Sequence, residues 1–141
     1  MTRSFLDVTD CSADEITCLL DIAERAVDAL GRPLAGQGVA LIFQKPSNRT
    51  RQSTEMAVVQ LGGHPIYTQG DEVGFDVRES VEDIARILDG YHAVIAARVF
   101  EHTIVERLAA GGAVPVGDKL SDHTHPRPAG ADALTKRQQL G

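Results

Sequence analysis

Gly38-Val39-Ala40-Leu41-Ile42-Phe43 is a short, continuous apolar run of six residues. Such a run suits a strand buried on both faces, as in a parallel sheet. The polar turn Lys45-Pro46-Ser47-Asn48-Arg49-Thr50-Arg51 follows it. A helix then runs to about Leu61, with Met56, Val59 and Leu61 turned partly inward and Gly62-Gly63 as its stop.

Further strands are expected outward from this unit at 65–68, 93–97 and 113–116. An earlier helix is expected from Ser12 to Leu30, with Ser12 and Glu15 as a capping box. Its apolar stripe is Ile16, Leu19, Leu20, Ala23, Val27 and Leu30, and Gly31 and Pro33 end it. The polar, glycine-containing segment 69–79 reads as a mobile loop. Ser80 and Asp83 open the next helix, with Ile84, Ile87 and Leu88 inward and Asp89-Gly90 closing it. Thr103 and Glu106 cap another helix that ends at Gly111-Gly112. A polar loop with histidines, 120–128, leads to a last helix reaching Leu140. Helices alternating with strands imply an α/β fold: a doubly wound, four-stranded parallel sheet with helices on both faces, spanning residues 1–141 as one domain. In such folds ligands bind at the carboxyl ends of the strands.

The 141 residues are 43% hydrophobic and 24% charged, a globular rather than a disordered composition. The net charge of −6 argues against general affinity for nucleic acid or anionic membrane, while leaving room for a local basic pocket. Aromatics at 4%, with no tryptophan, argue against a base-stacking platform. No apolar run approaches the roughly 18–20 residues of a membrane span. Asp7 falls where a signal peptide needs its apolar stretch. Cys11 and Cys18 are about two helical turns apart, too far to bridge, and free thiols fit a reducing, cytoplasmic location.

Three segments carry possible chemistry. In Ser47–Arg51 a strand enters a helix N-terminus through hydroxyls and two arginines. Free backbone N–H groups and guanidinium forks there suit a phosphate, although the glycines and lysine of a P-loop are absent. The same segment also fits a solvated helix start. Arg98, directly after the strand 93–97, points at the ligand crevice or forms a surface ion pair. In Asp122-His123-Thr124-His125-Pro126 the two histidines have a spacing that metal sites use. With no cysteine nearby and no clear third ligand, no metal is assigned. A histidine at a strand end can instead donate a hydrogen bond to a substrate carbonyl, and His123 is read as a loop hydrogen-bonder. His64, His92 and His102 read as structural or exposed. Asp71-Glu72 and Glu82-Asp83 read as a solvated loop and a helix start, so no paired-carboxylate hydrolase is indicated.

Together these segments resemble the N-terminal, carbamoyl-phosphate-binding domain of the aspartate/ornithine carbamoyltransferases. Ser47-Asn48-Arg49-Thr50-Arg51 is similar to that family's Ser-Thr-Arg-Thr-Arg motif, Ala97-Arg98-Val99-Phe100 to its strand-end arginine, and Asp122–Pro126 to its His-Pro-x-Gln segment. The order and spacing agree over nearly the whole chain. Ser4–Asp10 and the Asp-His-x-His-Pro form resemble ornithine enzymes more than aspartate enzymes. The resemblance implies a transferase of arginine biosynthesis that forms citrulline and phosphate from ornithine and carbamoyl phosphate, without metal or organic cofactor. It implies that Ser47, Asn48, Arg49 and Thr50 hold the phosphate. Arg98 then bridges phosphate and carbamoyl oxygen, and His125 donates to that oxygen. A homotrimer is also implied, in which the 69–79 loop of a neighbour adds a phosphate contact. Arg78 is the basic residue best placed to make it, and also reads as a solvated loop arginine.

Four departures from the family pattern bear on function. Asn48 replaces a threonine and lacks its hydroxyl. Pro128 stands where the family has the glutamine that binds the carbamoyl amino group, and proline has no donor to offer. Gly130 loosens the start of the last helix. The family's amino-acid-binding second domain is not among these 141 residues. Without it the expectation is ligand binding without turnover, and an exposed apolar patch where a helix from that domain packs. The rival reading is a non-catalytic domain that binds an anion weakly or only oligomerises.

Overall fold

The structure is a computed structural model that describes residues 3–119 and residue 139. The histidine segment with His123 and His125, Pro128, Gly130, and all of the expected last helix but Gln139 lie outside the described residues.

Four parallel strands form one sheet: β1 (Gly38–Phe43), β2 (His64–Gln69), β3 (His92–Arg98) and β4 (Val116–Asp118), in spatial order β2-β1-β3-β4. β1 is buried on both faces because a crossover helix covers each one. α2 (Asn48–Gln60) packs its Val58 over Val39, Leu41, Phe43 and Ala96. On the opposite face, α4 (Val81–Asp89) and α5 (His102–Gly111) place Val81, Ile84, Val105 and Leu108 over Ala40, Ile42, Ile95 and Ala97. β1 leads outward to β2 on one side, and β3 returns to pair on its other side. The chain therefore reverses between β1 and β3, and the crevice of a doubly wound sheet opens at their carboxyl ends.

Several local expectations are corrected. The first helix is only α1 (Ala13–Ala23), with the predicted Ser12–Glu15 capping box in place; extended Ala26 then precedes a 3-10 turn at Val27–Leu30. Its stripe is not a core face: Leu19 and Val27 are exposed, as is Ile22. Helices draw most of their stability from packing, and this one buries no residue. An apolar groove of about 480 Å³ lies beside α1, lined by Phe5, Cys11, Cys18 and Leu19 among others. In α2, Met56 and Val59 face outward, while Thr54 and Val58 turn inward. In α4, Ile87 is exposed.

The 69–79 segment is built rather than open. It holds α3 (Gly70–Val73), and Phe75 is buried in the core against the α4 side. Its basis is an ion-pair cluster: Arg107 of α5 donates to both carboxylate oxygens of Asp76 (2.6 and 2.9 Å) and of Glu82 (2.7 and 2.8 Å). α5 starts one residue before Thr103. Glu101 is its N-cap and makes no side-chain cap bond, and His102 Nδ1 lies 3.2 Å from the buried Asp118 carboxylate. β4 begins at Val116 rather than at residue 113. The Asp89 carboxylate takes the N–H groups of Ala113 (2.6 Å) and Val114 (3.2 Å), and Pro115 has none to give a ladder. The chain start covers the outer edge of β4: Phe5 N–H donates to the Val116 carbonyl at 2.8 Å, and Asp118 N–H to the Phe5 carbonyl at 3.0 Å. Cys11 and Cys18 are free thiols, and among the described residues no helix is long and apolar enough to cross a membrane.

Candidate functional site

β1 and β3 deliver two segments to the crevice at their carboxyl ends. After β1, Pro46 and the extended Ser47 set the entry into α2, so that Asn48, Arg49 and Thr50 form its first turn. The Ser47 hydroxyl does not cap the helix backbone; it donates to Thr50 Oγ1 at 2.9 Å. Intrahelical bonding begins with Arg51 N–H to the Ser47 carbonyl at 3.0 Å. The N–H groups of residues 48, 49 and 50 thus have no acceptor among the described residues. Aligned at a helix N-terminus, they carry about half a positive charge. The first turn contains no acidic residue to neutralise it.

β3 ends at Arg98, which is half-buried with its Nε–H unpartnered. Its Nη1 reaches Thr50 Oγ1 at 3.5 Å, at the long limit of a hydrogen bond, which leaves the planar fork of donors largely uncommitted. Among the described residues no carboxylate pairs with Arg98 or Arg49. Such pairing is the usual fate of an arginine, and Arg51 shows it: it is bonded to Glu55 at 2.8 Å and stacked over Tyr67 at 3.6 Å, and the bond to Glu55 raises its pKa. Lys45 adds a further cation at the same edge, its Nζ 5.1 Å from the Phe100 ring centre. Carboxylates also approach this edge, with Asp71 and Glu72 lining the adjoining cavity, so the basic groups are local to the turn after β1 and to the end of β3.

The structure thus brings together Ser47, Thr50 and Arg98. Arg49 stands on the same turn, exposed and making no contact with them. Asn48 Oδ1 accepts a hydrogen bond from Gln52 at 3.3 Å, so its amide is turned along the helix. Arg78 lies on the other side of the crevice. It donates to the Glu72 carbonyl at 3.3 Å and lines, with Gln44 and Phe100, a cavity of about 580 Å³. His125 lies outside the described residues. Among the described residues no group of three His, Cys, Asp or Glu side chains is placed to hold a metal.

Sequence reasoning missed Gln44. It directly follows β1, and the strand-end rule that selected Arg98 applies to it equally. It lines the large cavity and a smaller one of about 180 Å³ beneath Pro46 and Tyr67.

A phosphate needs convergent N–H donors, hydroxyls and unneutralised guanidinium groups, and this edge presents all three. Known proteins similar to this chain identify its family. The family "Aspartate/ornithine carbamoyltransferase, carbamoyl-P binding domain" matches residues 3–138. The ornithine carbamoyltransferase of Thermus thermophilus is 43% identical over all of this chain and 48% of its own length. That of a Parafrankia species is 44% identical over 99% of this chain and 46% of its own. The crystal structure of the Thermus thermophilus enzyme superposes with a TM-score of 0.89 over 98% of this chain and 49% of that one. The chain spans about half the length of the curated relatives it matches. By sequence and by fold, this chain belongs to the carbamoyl-phosphate-binding domain family of the aspartate/ornithine carbamoyltransferases.

Proposed function

We propose that this chain is the carbamoyl-phosphate half of an ornithine-type carbamoyltransferase, in the reaction carbamoyl phosphate + L-ornithine → L-citrulline + phosphate. One observation carries the reading: Arg49 and Arg98, which have no carboxylate partners among the described residues, stand near three helix N–H groups without acceptors among those residues at the β1/β3 reversal. The phosphate sits on the N–H groups of residues 48–50, with the Ser47 and Thr50 hydroxyls and Arg49 beside it. Arg98 spans the phosphate and the carbamoyl oxygen. The δ-amino group of ornithine attacks the carbamoyl carbon, the C–O bond to phosphate breaks, and the amine loses a proton. Negative charge grows on the carbamoyl oxygen as the new C–N bond forms. Arg98 and, by family resemblance, His125 stabilise it there. No metal enters this scheme.

These 141 residues match about half the length of their relatives, and the function proposed for them is the phosphate cradle, with the oriented amine supplied from outside them. Holding two reactants in attack geometry supplies about 7–11 kcal/mol in favourable cases. The chain alone therefore binds carbamoyl phosphate without forming citrulline. In a homotrimer, Arg78 of a neighbouring copy would reach the phosphate. Val77 beside it is 88% exposed, which fits a loop that meets another surface. Sedimentation of the chain tests the trimer.

Calorimetric titration tests the central reading. Carbamoyl phosphate binds one site per chain, and inorganic phosphate competes for it. Absence of binding by both refutes it.

A further inference from the structure

Gln44 is tied to β3 at both ends of its own structure. Its main-chain N–H donates to the Arg98 carbonyl at 2.8 Å, extending the β1/β3 ladder one residue beyond Phe43. Its side-chain Oε1 accepts the N–H of Phe100 at 2.9 Å. One residue thus brackets Arg98, holding the carbonyl of Arg98 itself and the N–H two positions on. Between them Val99 is fully buried and anchors the same turn. The side chain has room to do this because residue 70 is glycine: a Cβ there would lie 2.6 Å from Gln44 Cγ and 2.9 Å from its Cα. Among the described residues Arg98 has no carboxylate partner to fix it, and its side-chain hydrogen bond to Thr50 is 3.5 Å long. Its direction therefore depends on its backbone, together with the packing around its buried Nε.

We infer that Gln44 is the positioning residue for Arg98. Its amide oxygen closes the turn after β3 and so aims the guanidinium at the first turn of α2. This rests on the proposed reading of the site as a phosphate cradle, but its structural part does not. Gln44 touches Arg98 only through backbone. Its effect on an anion therefore passes through the Arg98 side chain and vanishes when that side chain is removed.

Two measurements separate the inference from the reading beneath it. The first is ligand-free. In the isotope-labelled chain, the Phe100 amide and the buried Arg98 Nε–H exchange slowly. Gln44→Met, similar in size but without an acceptor, exposes the Phe100 amide and averages the Arg98 signal. Gln44→Glu, which keeps an acceptor oxygen, preserves both. Unchanged signals in Gln44→Met overturn the inference, whatever the chain binds. The second is a double-mutant cycle on inorganic phosphate and carbamoyl phosphate binding. Gln44→Met weakens both ligands about tenfold in the parent chain and has no effect in Arg98→Ala. Equal weakening in both backgrounds overturns the inference while leaving the phosphate site standing. If the parent chain binds neither ligand, the phosphate reading fails, and the exchange data alone decide the role of Gln44.

Discussion

Arg98 Nη1 and Thr50 Oγ1 stand 3.5 Å apart across 48 residues of sequence, joining the end of β3 to the first turn of α2. The contact gathers the site, and among the described residues no carboxylate neutralises the cation in it. Arg98→Ala is expected to weaken carbamoyl phosphate and phosphate by about 1.5–3 kcal/mol, as for a lost hydrogen bond to a charged group. Arg98→Lys keeps the charge but not the fork, and should recover only part of the loss. Calorimetry on both variants checks this, and full recovery by lysine would mean that only charge matters.

Thr54 is a second α2 threonine with a different fate. Its hydroxyl is buried on the sheet-facing side and has no hydrogen-bond partner among the described residues. A buried polar group left unpaired costs about 1–3 kcal/mol. Thr54→Val keeps the shape and removes the hydroxyl, so it should stabilise the chain by about 1 kcal/mol. Denaturant midpoints at constant m-value measure it; a lower midpoint would mean that the hydroxyl is satisfied in solution.

The Arg107 cluster should set the acid limit of the 69–79 segment. Hydrogen bonds from Arg107 come first among the causes that hold the carboxyls of Asp76 and Glu82 below their ordinary range. Groups with depressed folded-state pKa values stabilise the fold above their unfolded values, near about 4, and that stability is lost as pH falls through the folded values. Arg107→Leu should therefore reduce stability at neutral pH and flatten its decline below about pH 4. Thermal melts of both proteins from pH 7 to pH 3 test this. Parallel curves would show that the cluster does not contribute.

The family resemblance implies that Pro128 stands in the place of a glutamine that binds the carbamoyl amino group. Pro128→Gln should strengthen carbamoyl phosphate relative to free phosphate, which has no such group. Equal effects on both ligands would place the change in helix stability instead. Neither the parent chain nor the variant should form citrulline when given ornithine. Citrulline at enzymatic rates from protein free of full-length contaminant would refute the half-site account.

Much of this architecture is legible in the chain because its determinants are local. The run 38–43 marks β1, and the Ser12–Glu15 and Ser80 caps mark helix starts that the structure retains. Ser47 and Thr50 are recognisable because they follow β1, and Arg98 because it ends β3. The errors fall where tertiary partners decide. α1 ends early because its stripe meets no partner among the described residues. The phase of α2 follows the Thr54 and Val58 contacts rather than the larger Met56 and Val59. The 69–79 segment looks like open loop by composition, but Arg107, 31 residues after Asp76, gives it a fixed form. Gln44 sits at a strand end as Arg98 does, but a neutral amide draws no notice by charge; its importance comes from which two backbone groups it joins.

The central claim is that an anion lies on the uncapped first turn of α2. Titrating carbamoyl phosphate into the isotope-labelled chain, while following every backbone amide by NMR, tests it most directly. The account predicts that the amides of Asn48, Arg49 and Thr50 move furthest, together with the Arg98 Nε–H, and saturate along one binding curve. Shifts that leave those amides unmoved, or that spread without saturation over the basic surface residues, would contradict it.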